Sequence, residues 1–100
     1  MKIDIQTVGF SAREDLLEYA QKKIDGLTKY YDRITGVDLY LKLVQDEQEE
    51  NKEVQVKIHL PGPTLFAQHQ SDNFHESLNE VMDKIIKQLK KKNELEKEKR

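Results

Sequence analysis

The sequence predicts an α+β domain with the element order β-α-β-β-β-α, a four-stranded sheet carrying two helices packed on one face. Three observations lead there. Two segments each carry a single apolar stripe at helical spacing. Four others alternate apolar and polar residues, as half-buried strands do. The last three of these strands follow one another through short connections, which favours antiparallel pairing. Helices with one stripe each must then share the apolar face of the sheet. At 100 residues the chain is of the size for one core.

The elements follow in order. Residues 2–8 place Ile3 and Ile5 on one side and Lys2, Asp4 and Gln6 on the other. Ser11 followed by Glu14 has the capping-box spacing for a helix start. Leu16, Leu17, Ala20, Ile24 and Leu27 then recur at helical intervals, and the helix is expected to end near Tyr30. Gly26 inside it costs about 1 kcal/mol relative to alanine, which signals early fraying or a close approach by a neighbour. Val37, Leu39, Leu41 and Leu43 make the second strand, and Val54, Val56, Ile58 and Leu60 the third. Between them Gln45–Lys52 reads as a solvated hairpin connection. Pro61-Gly62-Pro63 forces a turn, and Thr64–Gln70 form a short fourth strand with Leu65 and Ala67 inward. Ser71 or Asp72 is positioned to cap the last helix, whose stripe is Phe74, Leu78, Val81, Met82, Ile85 and Leu89. The domain is expected to span 1–92, with 93–100 a charged, mobile tail that has almost nothing to bury.

Composition excludes several functions. There is no cysteine, so disulfides, thiolate metal sites and cysteine nucleophiles are absent. No signal-peptide-like or membrane-spanning apolar run occurs, so a cytoplasmic location is expected. The glycines at 9, 26, 36 and 62 are too scattered for a phosphate loop. Glu49-Glu50 lies in a loop where nothing fixes the spacing of the carboxylates. His59 and His69 fall on opposite faces by strand parity, so no metal site is expected. Neither enzymatic activity nor a cofactor is expected.

Charge distribution points elsewhere. The formal net charge is −2, yet segment 46–53 carries a local −4 and segment 84–92 a local +5 without a single acid. A polyanion would meet the second and avoid the first. Lys84, Lys87 and Lys91 share one stripe of about 60° on the last helix, and Lys90 and Lys92 widen it. On the first helix Tyr19, Lys23 and Tyr30 flank the apolar stripe and would join that array if they face the last helix. Ammonium groups on rigid elements can meet successive phosphates, and tyrosines can stack on unpaired bases. Against this stands the plain alternative that lysines near a helix C-terminus serve the dipole and solubility. A different class of function also fits: a protein-interaction module using Tyr40, Val44 and Phe66 on the open face of the sheet, without RNA.

Leu27-Thr28-Lys29-Tyr30-Tyr31-Asp32-Arg33-Ile34 and Asp83-Lys84-Ile85-Ile86-Lys87-Gln88-Leu89 resemble segments of the ribosome hibernation promoting factors, also called ribosome-associated inhibitor or sigma-54 modulation proteins. The resemblance runs from Ile3 to about Lys92 and is to the short-form members. It implies a fold similar to double-stranded-RNA-binding domains and binding to the small ribosomal subunit and its rRNA. There the protein would occupy the decoding channel of mRNA and tRNA, block translation and promote hibernation in stationary phase or stress, as a monomer in solution. The rRNA-binding residues it implies are Lys23, Lys84, Lys87 and Lys91, joined by Lys90, Arg33 and Tyr30; Arg33 has the alternative of pairing with Asp32. The unusually acidic hairpin and Gly26 depart from the family's pattern. The C-terminal dimerisation domain of long members has no counterpart in these 100 residues.

Overall fold

A computed structural model describes residues 1–45 and 49–98. Asp46, Glu47 and Gln48 of the acidic connection, and the last two residues of the expected tail, lie outside the described residues. The elements are β1 (Lys2–Val8), α1 (Glu14–Asp25), β2 (Gly36–Leu43), β3 (Lys52–His59), β4 (Leu65–Ser71) and α2 (Phe74–Glu98). The sheet has the order β1-β2-β3-β4. β1 runs parallel to β2, which requires the crossover that α1 supplies. β2 with β3, and β3 with β4, are antiparallel. This is the expected α+β architecture.

Strand parity decides what each face holds. Val37, Leu39 and Leu41 of β2 and Val54, Val56 and Ile58 of β3 point to the helical side and are fully buried. Ile24 of α1 and Leu78, Val81, Ile85 and Leu89 of α2 meet them there. Alternation at period 2 and a stripe at period 3.6 thus close one core from two directions. The other face stays polar. Tyr40 stands opposite Gln55 and Phe66 opposite Lys57, so the two aromatics are two strands apart with polar residues between them. Val44 lies beyond the end of β2. The apolar patch expected from Tyr40, Val44 and Phe66 does not form, because consecutive open-face positions of β3 are occupied by Glu53, Gln55 and Lys57.

The helix ends differ from the sequence expectations. The residue preceding α1 is Arg13, with no side-chain cap, so Ser11 and Glu14 do not form a capping box. At α2 the cap is Asn73, whose Oδ1 accepts from the backbone N–H of His75 at 2.7 Å and Glu76 at 3.2 Å. Ser71 is diverted: its hydroxyl shares a 2.6 Å hydrogen bond with Ser77, which in turn donates to the Lys52 carbonyl at 2.8 Å. α1 passes into a 3-10 turn at Gly26–Lys29, reaching Tyr30 as expected. Gly26 has φ −71 and ψ −14, ordinary right-handed helix, and no atom lies within 4 Å of where its Cβ would sit. No neighbour approaches it closely. Replacing Gly26 with alanine is therefore expected to stabilise the fold by about 0.4 to 1 kcal/mol, by restricting the unfolded chain; urea unfolding of the variant measures it.

The boundary expected at Lys92 has no counterpart in the helix, which continues to Glu98. The physical reason is long-range. Tyr31 is buried, and its hydroxyl donates to Glu96 at 2.8 Å, across 65 positions of sequence. Arg33 and Lys92 approach the same carboxylate at 3.7 and 3.4 Å. Arg33 thus pairs with Glu96 and not with Asp32.

Candidate nucleic-acid interface

The two helices lie side by side and parallel, as their contacts in register show. Tyr19 meets Asn79, Tyr30 lies beneath Lys90, and Tyr31 meets Glu96. Both helices consequently end at the same pole of the molecule. Residues 22, 23, 29, 90, 91 and 92, all lysines, gather there. The described acids after β2, Glu49, Glu50 and Glu53, lie toward the other pole: Ser77, in the first turn of α2, bonds to Lys52, and Asn51 bonds to Val44. From Ser77 to Lys90 the helix rises about 20 Å. The charge asymmetry of the sequence therefore becomes a dipole along the helices.

Between the helices runs a groove of about 430 Å³. Leu27, Met82 and Ile86 form its apolar base, and Tyr30 one wall. Lys22, Lys23 and Lys29 stand along the α1 side, Asn79 and Asp83 along the α2 side. Two lysines are held against aromatic rings: Lys23 Nζ is 5.4 Å from the Tyr19 centroid and Lys90 Nζ 5.3 Å from that of Tyr30. At exposed sites such contacts are worth about 0.5 to 1 kcal/mol, enough to bias where an ammonium group rests.

The expected site residues divide into two groups. Lys23, Tyr30 and Lys90 do come together in and above the groove. The flank of α1 bearing Tyr19, Lys23 and Tyr30 does face α2. The row Lys84, Lys87 and Lys91 does not border the groove. Lys84 turns the opposite way, its ammonium donating to the Gln68 carbonyl of β4 at 2.9 Å. Lys87 and Lys91 are exposed on the outer surface of α2. Arg33 is engaged with Glu96. Among the described residues, no carboxylate lies within ion-pair distance of Lys22, Lys23, Lys29, Lys84, Lys87, Lys90 or Lys91. Lys22, Lys29, Asn79 and Asp83 were not singled out from sequence; Lys22 and Lys29 were visible only as further basic residues beside Lys23, and nothing marked the other two.

His59 and His69 lie on opposite faces of the sheet. His59 is bonded to Asp38 at 2.7 Å on the open face, and His69 stands opposite buried Val54 on the helical side. Among the described residues no cluster of three metal-ligating side chains occurs.

Glu96 ties the basic pole together. The Tyr31 hydrogen bond, then Lys92 and Arg33, hold its carboxyl below the usual value of 4.5. Burial, with Glu96 nearby, raises the Tyr31 hydroxyl above 10.0. For a carboxyl lowered in the folded state, the stabilisation is complete above the unfolded value and disappears as pH falls through the folded one. Glu96→Gln should therefore flatten the loss of stability below about pH 4.5, where the native chain weakens more steeply; urea midpoints over this range report it.

The comparison that decides kinship covers nearly the whole chain. Residues 3–97 match the profile of the family described as "Sigma 54 modulation protein / S30EA ribosomal protein". The chain belongs to that family. Members of the family are ribosome-associated hibernation factors and are not enzymes. A ribosome hibernation promotion factor of Picosynechococcus is 30% identical over 93 residues, 91% of this chain and 48% of the relative. One from Pseudomonas putida is 23% identical over 94% of this chain and 88% of its own length. The chain thus spans about half of the first relative and most of the second. Among solved structures, a ribosomal subunit interface protein from Coxiella burnetii superposes with a TM-score of 0.81 at 26% identity, covering 93% of this chain and 98% of the other. The N-terminal domain of Thermus thermophilus Protein Y shares the fold, with a TM-score of 0.76 at 17% identity over 91% and 98% of the chains. The family's fold is the one built here, with its two-helix layer on one face of the sheet.

Proposed function

We propose that the protein is a ribosome hibernation factor that binds the small ribosomal subunit in the channel used by mRNA and tRNA, and silences translation by occupying it. The observation that carries this reading is the pole where both helices end: five lysines, Lys22, Lys23, Lys29, Lys90 and Lys91, without carboxylate partners among the described residues, on two parallel helices, with Glu49, Glu50 and Glu53 toward the far pole. Such a dipole orients the molecule toward a polyanion, basic pole first. The names of its relatives supply the ribosome as that polyanion. The rRNA contacts assigned on this reading are Lys23, Lys90 and Tyr30 at the groove and Lys84, Lys87 and Lys91 on the outer surface of α2. Arg33 contributes less, since Glu96 neutralises it. On this reading the protein works in the cytoplasm, is a monomer when free, and acts in stationary phase or stress. No described helix is long and apolar enough to cross a membrane.

The test is sedimentation. The protein is expected to travel with small subunits at low salt, and added mRNA together with tRNA should displace it. Retention in the presence of both would move the site away from the channel. Absence from small subunits at low salt would overturn the reading.

A further inference from the structure

The groove contains a carboxylate where a phosphate-binding surface would have none. Asp83 lines it alongside Lys22, Lys23 and Lys29, without an ion-pair partner among the described residues. For phosphates alone, this charge only weakens binding. One turn earlier on the same flank stands Asn79, whose Oδ1 already accepts the Tyr19 hydroxyl at 2.6 Å. That bond fixes the amide, so its N–H groups are what Asn79 offers the groove. The α2 wall therefore presents a donor followed by a two-oxygen acceptor. Facing it, the wall from α1 is opened by Gly26, which has vacant space where a side chain would be. A glycine inside a helical run is unfavourable, and here no close contact requires it.

We propose that the groove receives one unpaired guanine of the bound RNA, with Asp83 accepting from N1–H and N2–H and Asn79 donating to O6. The inference rests on the RNA-binding reading above and adds a base preference to it. Guanine alone among the four bases offers acceptor, donor, donor along its pairing edge. Cytosine would set two acceptors against the carboxylate, adenine an acceptor at N1, and uracil only one donor. The face of the base would lie over Ile86 beside Tyr30, and the flanking phosphates would meet the lysines on the rim. Stacking on an aromatic wall and reading of the exposed edge is how unpaired bases are recognised in RNA.

Asp83→Ala separates this from simple electrostatics by sign. The probes are single-stranded RNA hexamers that differ only in one central base, G, A, C or U, with binding followed by fluorescence anisotropy at fixed low salt. The wild-type chain should bind the G hexamer about tenfold tighter than the others, the lower range for a two-hydrogen-bond base contact. Asp83→Ala should weaken the G hexamer by about that factor and tighten the other three. Gly26→Gln, which fills the groove from a position with helical φ and ψ, should abolish the preference while melting no lower than wild type. If Asp83→Ala tightens all four hexamers alike, the guanine site is overturned and the phosphate surface stands. If the wild-type chain binds all four equally, the same conclusion follows. Failure to bind any hexamer, together with absence from small subunits, would overturn both readings.

Discussion

Changing Lys84, Lys87 and Lys91 together to glutamate is expected to abolish sedimentation with small ribosomal subunits while leaving the fold intact. All three side chains are exposed, and none touches the core. The change removes the hydrogen bond from the Lys84 ammonium to the Gln68 carbonyl, at the edge of the sheet. A solvent-exposed hydrogen bond of that kind contributes about 0.5 to 1.5 kcal/mol, too little to unfold an ordinary domain. The effect on binding is far larger. Each phosphate left without its lysine takes close to one unit from the slope of log affinity against log salt. Three such phosphates should make that slope shallower by about 3 and reduce affinity by roughly a hundredfold or more at moderate salt. Since the row lies outside the groove, its removal should weaken all RNA sequences alike. Asp83→Ala, within the groove, should instead discriminate among them. A triple variant that melts like the wild type and still sediments at wild-type levels would remove the outer surface of α2 from the interface.

How much of this was legible in the sequence depends on the range of the interaction concerned. The strands and both apolar stripes are encoded by periodicities of 2 and 3.6 residues, so Val37 to Leu41, Val54 to Ile58 and Leu78 to Leu89 declare their buried face locally. Caps are less legible. Ser71, Asp72 and Asn73 are all good capping residues, and the choice of Asn73 follows from Ser71 being taken by Ser77 on a neighbouring turn. Ser11 and Glu14 have the right spacing, but the chain enters α1 at Arg13, two residues past the serine. The continuation of α2 beyond Lys92 depends on Tyr31 finding Glu96, a pairing no local pattern announces. The groove has the same character. Lys23 and Tyr30 are recognisable on α1, but which α2 residues face them depends on how the two helices slide against each other. Angular proximity on one helix groups Lys84 with Lys87 and Lys91. It does not say that Lys84 reaches β4 while Lys90 and Asp83 turn toward α1.

Ile85→Ala should be the most destabilising of these substitutions, at about 3 to 4 kcal/mol. Ile85 is fully buried and follows Lys84 directly, on the side of α2 facing the sheet. Truncation removes apolar surface from a close-packed site and leaves a cavity that the sheet side, fixed by its hydrogen-bonded register, fills poorly. Isoleucine-to-alanine changes of this kind fall within about 2 to 5 kcal/mol, a large share of the stability of a domain this size. Each kcal/mol lowers the melting temperature of such a domain by about 4 to 8 °C, so a drop of about 12 °C or more is expected in a thermal scan. At low temperature, where enough of the chain remains folded, the variant should still bind ribosomes, because every lysine of the basic pole remains in place. The two faces of α2 are thus separable: the inner one sets how much protein is folded, the outer one what the folded protein holds. A destabilisation below about 1 kcal/mol on Ile85→Ala would mean that α2 is not seated on β3 and β4 as described. A stable Ile85→Ala protein that nevertheless fails to bind would break the separation.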